Sequence, residues 1–510
     1  MTATNIFVAG NDILASQVNA NFQELWDEIE LDYPSGENLS AGDAAYVNTK
    51  DGSLYKSHGY KEITSATTFT QPTTISTYKS AKLSDTQFMC LYDNGGNTLS
   101  IAVFDRTAPT TAVATQTVST TFGGSSTTLQ KATMCRMTDT TFIVFYTNTT
   151  NDSLRFRTGS ISGGTITMGT DTAYTGSPTY CYGLEAIPGE SNGTVVFGYQ
   201  DDTALNGNSG TISCVLSYLA VASNSVTVTY TTSYNIVSGA YYAVATWTNV
   251  CYTQGIAYGL FCTADAAGQR QINFNYINVI AGGTTSNNNK TINLESQTGA
   301  GVASVYSQYA PYLVGHDGKG YFGYATSNNA TGYVNTETVL EISQSGCNQV
   351  FQHTTVKLGG DNTSRALPLY GGESGFIING IPQTESGATL TGALYFQKGK
   401  IFAFQGGAVS DYPAHWNDWY QNLNDEIVFV SNGSTIKTWR LPTPFDGFVK
   451  ATVTAPASAI IYDKLYTTTG LTAFTKYFLK DTYTNTGEIS TVGIIPVGRS
   501  LSTTRMKVEV

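Results

Sequence analysis

The chain has 510 residues, of which 41% are hydrophobic and only 12% charged, and its formal net charge is −11. This length suggests two to four domains, and the recurring apolar clusters exclude a disordered chain. The lack of any run of Lys or Arg argues against a nucleic-acid partner and against binding to an anionic membrane surface. The abundance of Tyr, Thr, Gly and Asn predicts an all-β protein whose exterior suits neutral partners, such as other subunits or sugars.

Residues 10–30 carry the one convincing helical pattern. Their apolar residues recur every three or four positions and would form one stripe. The stripe consists of Leu14, Val18, Phe22, Leu25 and Ile29. Copies of this helix could pack stripe to stripe, or a single helix could dock on its own β-body; about two heptads do not decide between them. We assign residues 1–33 to a short N-terminal α-helix for attachment or oligomerisation.

A small hairpin is predicted next, within residues 37–60. The apolar segments Ala45–Val47 and Leu54–Tyr55 flank the dipeptide Asp51–Gly52. Asp-Gly between two such segments is a strong signal for a tight β-turn.

From about residue 75 to residue 405, a short apolar strand recurs after a turn, at intervals of roughly 55 residues, with room for about four strands in each unit. The strands are marked by Tyr92, Tyr146, Tyr199, Tyr258, Tyr324 and Ile378. Radial repetition of such units predicts a β-propeller over residues 61–444, with each marked strand innermost in its blade. Six marks predict six blades, and residues 425–441 with a strand from 61–70 could supply a seventh that closes the ring. A pair of β-sandwiches or a fibre repeat is the alternative.

Residues 409–424 are unusually rich in aromatic side chains. The cluster consists of Tyr412, Trp416, Trp419 and Tyr420. Aromatic faces beside amide and carboxylate groups can bind sugars, so we consider this segment a candidate glycan site. Interface cores also gather Trp and Tyr, which favours a buried joint between domains or subunits.

Residue patterns for catalysis or metal binding are weak. Acids that could form a glycosidase pair are scattered in turns and loops: Asp201, Asp202, Asp411, Asp418, Asp425 and Glu426. The four histidines lack metal-ligand spacing, and neither a phosphate-binding loop nor a calcium loop occurs. We therefore predict no catalytic residues, no metal and no cofactor. The seven cysteines form no CxxC pair, which favours buried free thiols and assembly in a reducing cytoplasm.

The two ends of the chain carry a family resemblance. Residues 7–22, FVAGNDILASQVNANF, resemble the attachment end of bacteriophage tail-fibre and virion proteins. Residues 39–43 with 51–56 are similar to a small β-module that opens many phage proteins. Its usual tail is matched at residues 470–472, 477–479, 487–490 and 497–502, although Phe474–Lys476 departs from the family's Pro-Gly turn. The resemblance implies that residues 37–60 and 445–510 form one small split β-barrel with the propeller inserted between them, in trimers on the virion.

The sequence therefore leads us to expect a non-enzymatic phage structural protein, a tail fibre or a head or tail decoration subunit, displayed for host-surface attachment. Its expected partners are other virion proteins, copies of itself as a homotrimer, and a host cell-surface glycan. We expect no nucleic-acid partner and no membrane insertion, and we expect location in the virion after assembly in the host bacterial cytoplasm. The main alternative is a glycan-degrading phage enzyme on the same scaffold. A bacterial cell-surface lectin would require a signal peptide or anchor, and the sequence suggests neither.

Overall fold

A computed structural model describes the chain from residue 31 to residue 508, with gaps. The described residues are 31–48, 51–59, 61–68, 77–84, 86–105, 111–123, 131–150, 152–176, 178, 180–202, 211–237, 247–264, 270–286, 292–293, 313–328, 334–356, 366–367, 369–372, 375–382, 391–397, 399–403, 419–421, 426–430, 435–440, 442–462, 465–480, 487–491 and 495–508. Every regular element in these ranges is a β-strand, as the composition predicts. The predicted helix of residues 10–30 lies outside them, and residues 31–33, which the sequence assigned to the same N-terminal segment, begin a β-strand instead.

The strands β1 to β4 come first in the chain, and three sheets follow. These first strands are β1 (Leu31–Pro34), β2 (Ala44–Val47), β3 (Leu54–Lys56) and β4 (Lys61–Thr68). Sheet A contains β5 (Thr77–Lys82), β6 (Gln87–Asp93), β7 (Leu99–Asp105) and β8 (Ala112–Ser119). Sheet B contains β9 (Ala132–Thr138), β10 (Thr141–Thr147), β11 (Leu154–Ser162) and β12 (Thr165–Met168), with β13 (Thr172–Ala173) beside β11. Sheet C contains β14 (Cys181–Pro188), β15 (Thr194–Asp202), β16 (Thr211–Ala222) and β17 (Ser225–Val237).

The next four sheets follow the same order of strands. Sheet D contains β18 (Trp247–Thr253), β19 (Ile256–Ala264), β20 (Arg270–Asn278) and β21 (Thr284–Ser286), with β22 (Ile292–Asn293) beside β20. Sheet E contains β23 (Leu313–His316), β24 (Lys319–Asn328), β25 (Val334–Ser343) and β26 (Gly346–Val356), with β27 (Ala366–Leu367) beside β24. Sheet F contains β28 (Leu369–Gly372), β29 (Gly375–Pro382), β30 (Thr391–Gln397) and β31 (Lys400–Ala403). Sheet G contains β32 (Trp419–Gln421), β33 (Glu426–Val430), β34 (Thr435–Arg440) and, at its edge, β4.

Sheets A to G form a propeller-like ring. The first strand of each sheet contacts the first strand of the next, from β5 through β9, β14, β18, β23 and β28 to β32. Strand β32 in turn contacts β5, so the cycle of contacts is closed. Strand β4 precedes sheet A in the sequence but pairs with β34, so it completes sheet G, the last sheet of the ring. Sheets arranged in this way keep most of their strand edges paired or covered.

The six marked residues all lie on the second strand of a sheet, which is β6, β10, β15, β19, β24 or β29. The sequence placed these apolar strands correctly, but the expectation that they are innermost is wrong, because the first strands contact one another. Strand β10 shows why the apolar pattern marks the second strand. Its sequence TFIVFYT is rich in β-branched and aromatic residues, and six of its seven residues are buried. A second strand has a strand on each side and a sheet against each face.

Neighbouring sheets share their apolar cores. Met89 of sheet A and Val144 of sheet B belong to one buried cluster. Phe145 of sheet B and Phe197 of sheet C belong to the next. Similar clusters join sheet C to D, D to E and E to F. The cysteines Cys90, Cys135, Cys181, Cys214 and Cys251 are buried free thiols, and Cys347 is a partly exposed one.

A second compact unit comprises the described parts of residues 1–63, 399–403 and 440–510. Its last strands are β35 (Gly447–Val449), β36 (Ser458–Tyr462), β37 (Leu465–Thr467), β38 (Lys476–Leu479), β39 (Ile489–Ser490), β40 (Pro496–Ser500) and β41 (Arg505–Val508). They form two five-stranded sheets, ordered β1-β36-β35-β2-β3 and β37-β41-β40-β38-β39. The first sheet therefore combines strands from both ends of the chain. The predicted hairpin is confirmed, since β2 pairs with β3 from Ala45↔Lys56 to Val47↔Leu54.

In this second unit, a turn is present at Phe474–Lys476, where the sequence lacks the Pro-Gly turn of the phage module. Phe474 has a φ of 60°, a left-handed conformation that is unfavourable for a bulky residue. The turn is held by Ser500, whose carbonyl accepts from the Phe474 N–H at 3.1 Å and whose Oγ accepts from the Thr475 N–H at 2.8 Å. The Phe474 ring is left 72% exposed.

Candidate functional site

The aromatic segment predicted as a glycan site is mostly outside the described residues. Tyr412 and Trp416 lie outside them, and Trp419 and Tyr420 are described only as backbone of β32. Neither the glycan role nor the interface role of these side chains is tested, so both stay predictions.

The acids proposed from the sequence as catalytic candidates are only partly within the described residues. No group of three or more His, Cys, Asp or Glu side chains is placed there to hold a metal ion. The same residues contain no helix long and apolar enough to cross a bilayer. Asp201 lies near the end of β15, while Asp411, Asp418 and Asp425 fall outside the described ranges.

A buried ion pair links the first strands of three sheets. The Nζ atom of Lys79 on β5 bonds to the Glu185 carboxylate on β14, and both side chains are less than 10% exposed. The ammonium group also donates to Thr133 Oγ1 on β9 at 3.2 Å and to the Ala186 carbonyl at 2.8 Å. A β-bulge in β14 immediately precedes Glu185 in the ladder. Since the ammonium neutralises this carboxylate, the group serves to join sheets A, B and C.

Three tyrosines gather on the face where sheet C meets sheet D, and we call them the tyrosine cluster. Tyr218 belongs to β16, Tyr230 to β17 and Tyr252 to β18. The Tyr218 ring centroid lies 6.4 Å from that of Tyr230 and 6.0 Å from that of Tyr252, with the planes tilted by 35° and 33°. Tyr218 is buried, whereas Tyr230 and Tyr252 keep part of their surface in solvent. The cluster is therefore a partly exposed aromatic surface that rests on the buried side chain of Tyr218.

An exposed carboxylate lies beside the cluster. Glu190 belongs to the turn between β14 and β15, and the Tyr252 hydroxyl donates to its Oε2 at 3.0 Å. The Glu190 backbone N–H donates to the Tyr218 hydroxyl at 3.4 Å. Burial, and then the hydrogen bond to Glu190, raises the pKa of Tyr252 above its usual range. Tyr252 therefore stays a neutral donor at physiological pH, and its hydroxyl is oriented by the carboxylate.

Glycines at two turns leave room for the rings. A Cβ atom at Gly283 would lie 2.0 Å from Cδ1 of Tyr230, and Gly283 has a φ of +78°. A Cβ atom at Gly189 would lie 2.6 Å from Thr194 Oγ1 and 3.0 Å from Cε2 of Tyr218. Glycine is the residue that allows such close backbone approach and the positive φ at Gly283. Both turns are thus matched to the rings beside them.

The cluster lies in a part of the chain without positive charge. The sequence has no Lys or Arg between Arg157 and Arg270, a span that contains all three tyrosines and Glu190. The apolar rim continues at the turn after β20. Val279, like Tyr230 and Tyr252, packs against the core that sheets C and D share, and the next residue, Ile280, is 72% exposed. In the described residues, this surface thus offers aromatic and aliphatic faces beside the exposed Glu190 carboxylate.

Sequence reasoning missed this cluster. Its tyrosines lie on three strands of two sheets, so neither a motif nor a local run brings them together. The absence of Lys and Arg between Arg157 and Arg270 is the sequence feature that distinguishes this region.

The comparisons with known proteins identify no family. No family model matches the chain, and no curated protein matches it. Among solved structures, the WD40 domain of Toxoplasma gondii coronin is 10% identical, with a TM-score of 0.41 over 81% of this chain and 91% of that one. AofleA from Arthrobotrys oligospora is 10% identical, with a TM-score of 0.32 over 72% and 95%. A Trypanosoma rangeli sialidase in complex with sialic acid is 10% identical, with a TM-score of 0.31 over 73% and 57%. Such distant likenesses assign no function to this chain.

Proposed function

We propose that this chain is a non-enzymatic structural subunit of a bacteriophage particle, a tail fibre or a head or tail decoration protein that attaches to the host surface. One observation supports this most. Strands from both ends of the chain, β1 and β2 with β35 and β36, form one sheet. The segments that resemble phage virion proteins lie in the same compact unit: residues 51–56 at β3 of this sheet, and residues 477–479, 487–490 and 497–502 at β38, β39 and β40 of the unit's other sheet. The propeller-like segment is inserted between them in the sequence.

The architecture that fits this proposal is a seven-bladed propeller inserted in a small split β-barrel. Seven sheets with a closed cycle of first-strand contacts support the blade count. The two five-stranded sheets built from residues 31–56 and 447–508 support the barrel. In this proposal residues 10–30, which precede β1, form the attachment helix, whose apolar stripe joins three copies of the chain.

Labelling of particles tests the location. Antibodies raised against the purified chain should label intact phage particles in lysates of the producing bacterium, as seen by electron microscopy with gold conjugates. A density map of the particle should then place three copies at each labelled position. Label found only on soluble material, with bare particles, would contradict the proposal.

Activity on host polysaccharide tests the enzyme alternative. The purified chain should bind host capsule or lipopolysaccharide without releasing reducing ends. Sustained release of reducing ends, abolished by carboxylate substitutions, would favour a glycan-degrading enzyme instead.

Oligomeric state tests the attachment helix. Light scattering should give three times the chain mass for the full chain, and a Phe22→Asp variant should be monomeric because a charge replaces the centre of the stripe. Gln23→Asp, one position away and off the stripe, is the matched control and should stay trimeric. A full chain that is already monomeric would exclude the trimer.

A further inference from the structure

We propose that the tyrosine cluster, with Glu190, is a binding site for neutral sugars. The ligand class is a pyranose without a carboxylate or phosphate group, such as a hexose or an N-acetylhexosamine. This inference rests on the proposed function, since it names the ligand class for host attachment. The two are tested separately: particle labelling tests the location of the chain, and titration of the purified chain tests sugar binding.

The rings supply a surface for the apolar face of a sugar. Pyranoses present C–H groups that pack on aromatic faces, and Tyr230 and Tyr252 are partly exposed. Tyr218 contacts both rings from the buried side, with centroids 6.0 and 6.4 Å away. The rings are therefore held in place before a ligand binds, which lowers the entropic cost of binding.

Glu190 supplies the polar recognition. An ionised carboxylate has about four acceptor positions. The Tyr252 hydroxyl occupies one of them at 3.0 Å, and the side chain is exposed, so other positions can accept from sugar hydroxyl groups. The backbone of Glu190 is fixed by its own hydrogen bond to Tyr218. One residue thus orients a ring and offers an acceptor beside it.

Charge determines the class of sugar. Acidic sugars need cationic partners, and among the described residues none of the hydrogen-bond or ring partners of the three tyrosines is Lys or Arg. The exposed Glu190 carboxylate repels a second carboxylate or a phosphate nearby. A sugar without negative charge meets neither obstacle, so the site should discriminate against uronic and sialic acids.

Nuclear magnetic resonance titration of the purified full-length chain tests the site. The probes are methyl glycosides of glucose, galactose, mannose, N-acetylglucosamine and N-acetylgalactosamine, with glucuronic acid and N-acetylneuraminic acid as anionic probes. At least one neutral sugar should bind, and Tyr252→Ala should weaken it about tenfold because the ring face is lost. Tyr462→Ala, a partly exposed tyrosine in the other unit, is the matched control and should leave the affinity unchanged.

A charge reversal separates recognition from folding. Glu190→Lys should weaken binding of the neutral sugar several-fold and give measurable binding of glucuronic acid, because the anionic acceptor becomes a cation. This readout remains valid even if Tyr252→Ala fails to fold. Failure of every neutral probe to bind, equal binding of anionic probes by the natural chain, or unchanged affinity in a folded Tyr252→Ala variant would each overturn the assignment.

Discussion

The two faces of sheet C use aromatic residues in opposite ways. Toward sheet B, Phe197 stacks on Phe145 with ring centroids 4.0 Å apart, and both rings are fully buried. Toward sheet D, Tyr230 and Tyr252 stay partly open beside an exposed carboxylate. Both faces are rich in aromatic residues, so composition does not distinguish a core contact from a surface that can bind. The distinction lies in the turn residues at the border, namely Glu190 and the close-packed Gly283.

The largest expected effect is on the closed face. Phe197→Ala should lower the free energy of unfolding by about 4 kcal/mol, because it removes a buried ring and leaves a cavity against Phe145. Urea unfolding measures the change, and Phe197→Leu, which fills part of the space, should lose much less. If Phe197→Ala cost no more than Tyr252→Ala, the contrast between the two faces would be wrong.

Breaking the ion pair between Lys79 and Glu185 should have the second-largest effect on the free energy of unfolding. Lys79→Met should lower the free energy of unfolding by about 3 kcal/mol, because the buried Glu185 carboxylate loses its ammonium partner. Urea unfolding of the double variant Lys79→Met/Glu185→Leu is the control and should recover most of the loss. Equal stability of the natural chain and the single variant would show that this pair does not join the sheets.

A glycine substitution at the open face should have an intermediate effect. Gly283→Ala should cost about 2 kcal/mol, because its Cβ meets the Tyr230 ring and its φ is +78°. Gly282→Ala is a matched control, since its φ is +70° but its Cβ meets nothing within 4 Å, so it should cost about 1 kcal/mol. Thermal or urea unfolding of both variants measures the ring contact by difference. Equal losses would mean that the Gly283 turn does not pack on Tyr230.

Alkaline pH tests the closed face through Tyr174, which lies in the same core cluster as Phe197. Burial raises the pKa of Tyr174 to about 12, from 10.0. The unfolded chain therefore ionises this group above pH 10 while the folded chain does not, so its stabilisation is complete below pH 10 and is lost as pH rises toward 12. Between pH 9 and pH 11 this group should cost about 1 kcal/mol. Urea unfolding of Tyr174→Phe should show a decline smaller by that amount; an equal decline would contradict the assignment.

The smallest expected effect is at the open face. Tyr252→Phe removes the hydroxyl that donates to Glu190 and should lower the free energy of unfolding by about 0.5 to 1 kcal/mol. A double-mutant cycle with Glu190→Gln isolates the pair, and the coupling energy should be of the same size. A coupling energy near zero would show that the hydrogen bond between Tyr252 and Glu190 does not stabilise the fold.

The fold was more predictable from the sequence than the site. The marked residues Tyr92 to Ile378 identified strands correctly because second strands are buried on both faces and keep an unbroken apolar sequence. The first strand of each sheet has a weaker apolar pattern in the sequence, so the second strands were expected to be innermost instead. They carry buried polar groups such as Lys79 and Glu185, whose partners lie two sheets away and are invisible in a local pattern.

The tyrosine cluster was unpredictable for a related reason. Tyr218 and Tyr252 approach each other only once sheet C packs on sheet D, and Glu190 reaches them from a third place in the sequence. The segment with Trp416 and Trp419 is recognisable in the sequence because its aromatic residues lie close together in the chain. Adjacency in the chain is a local signal, whereas a binding surface on packed sheets is assembled from distant strands.

The strand β4 at the edge of sheet G has a consequence for biosynthesis. Its partner β34 leaves the ribosome roughly 370 residues later, which at 5 to 20 residues per second takes about 20 to 70 s. During translation the nascent ring is open, and β4 has an unpaired edge that could pair with another nascent chain. Because the ring closes late in translation, we expect the nascent chain to bind chaperones until β34 pairs with β4. Chains that end before β34 should lack this closure.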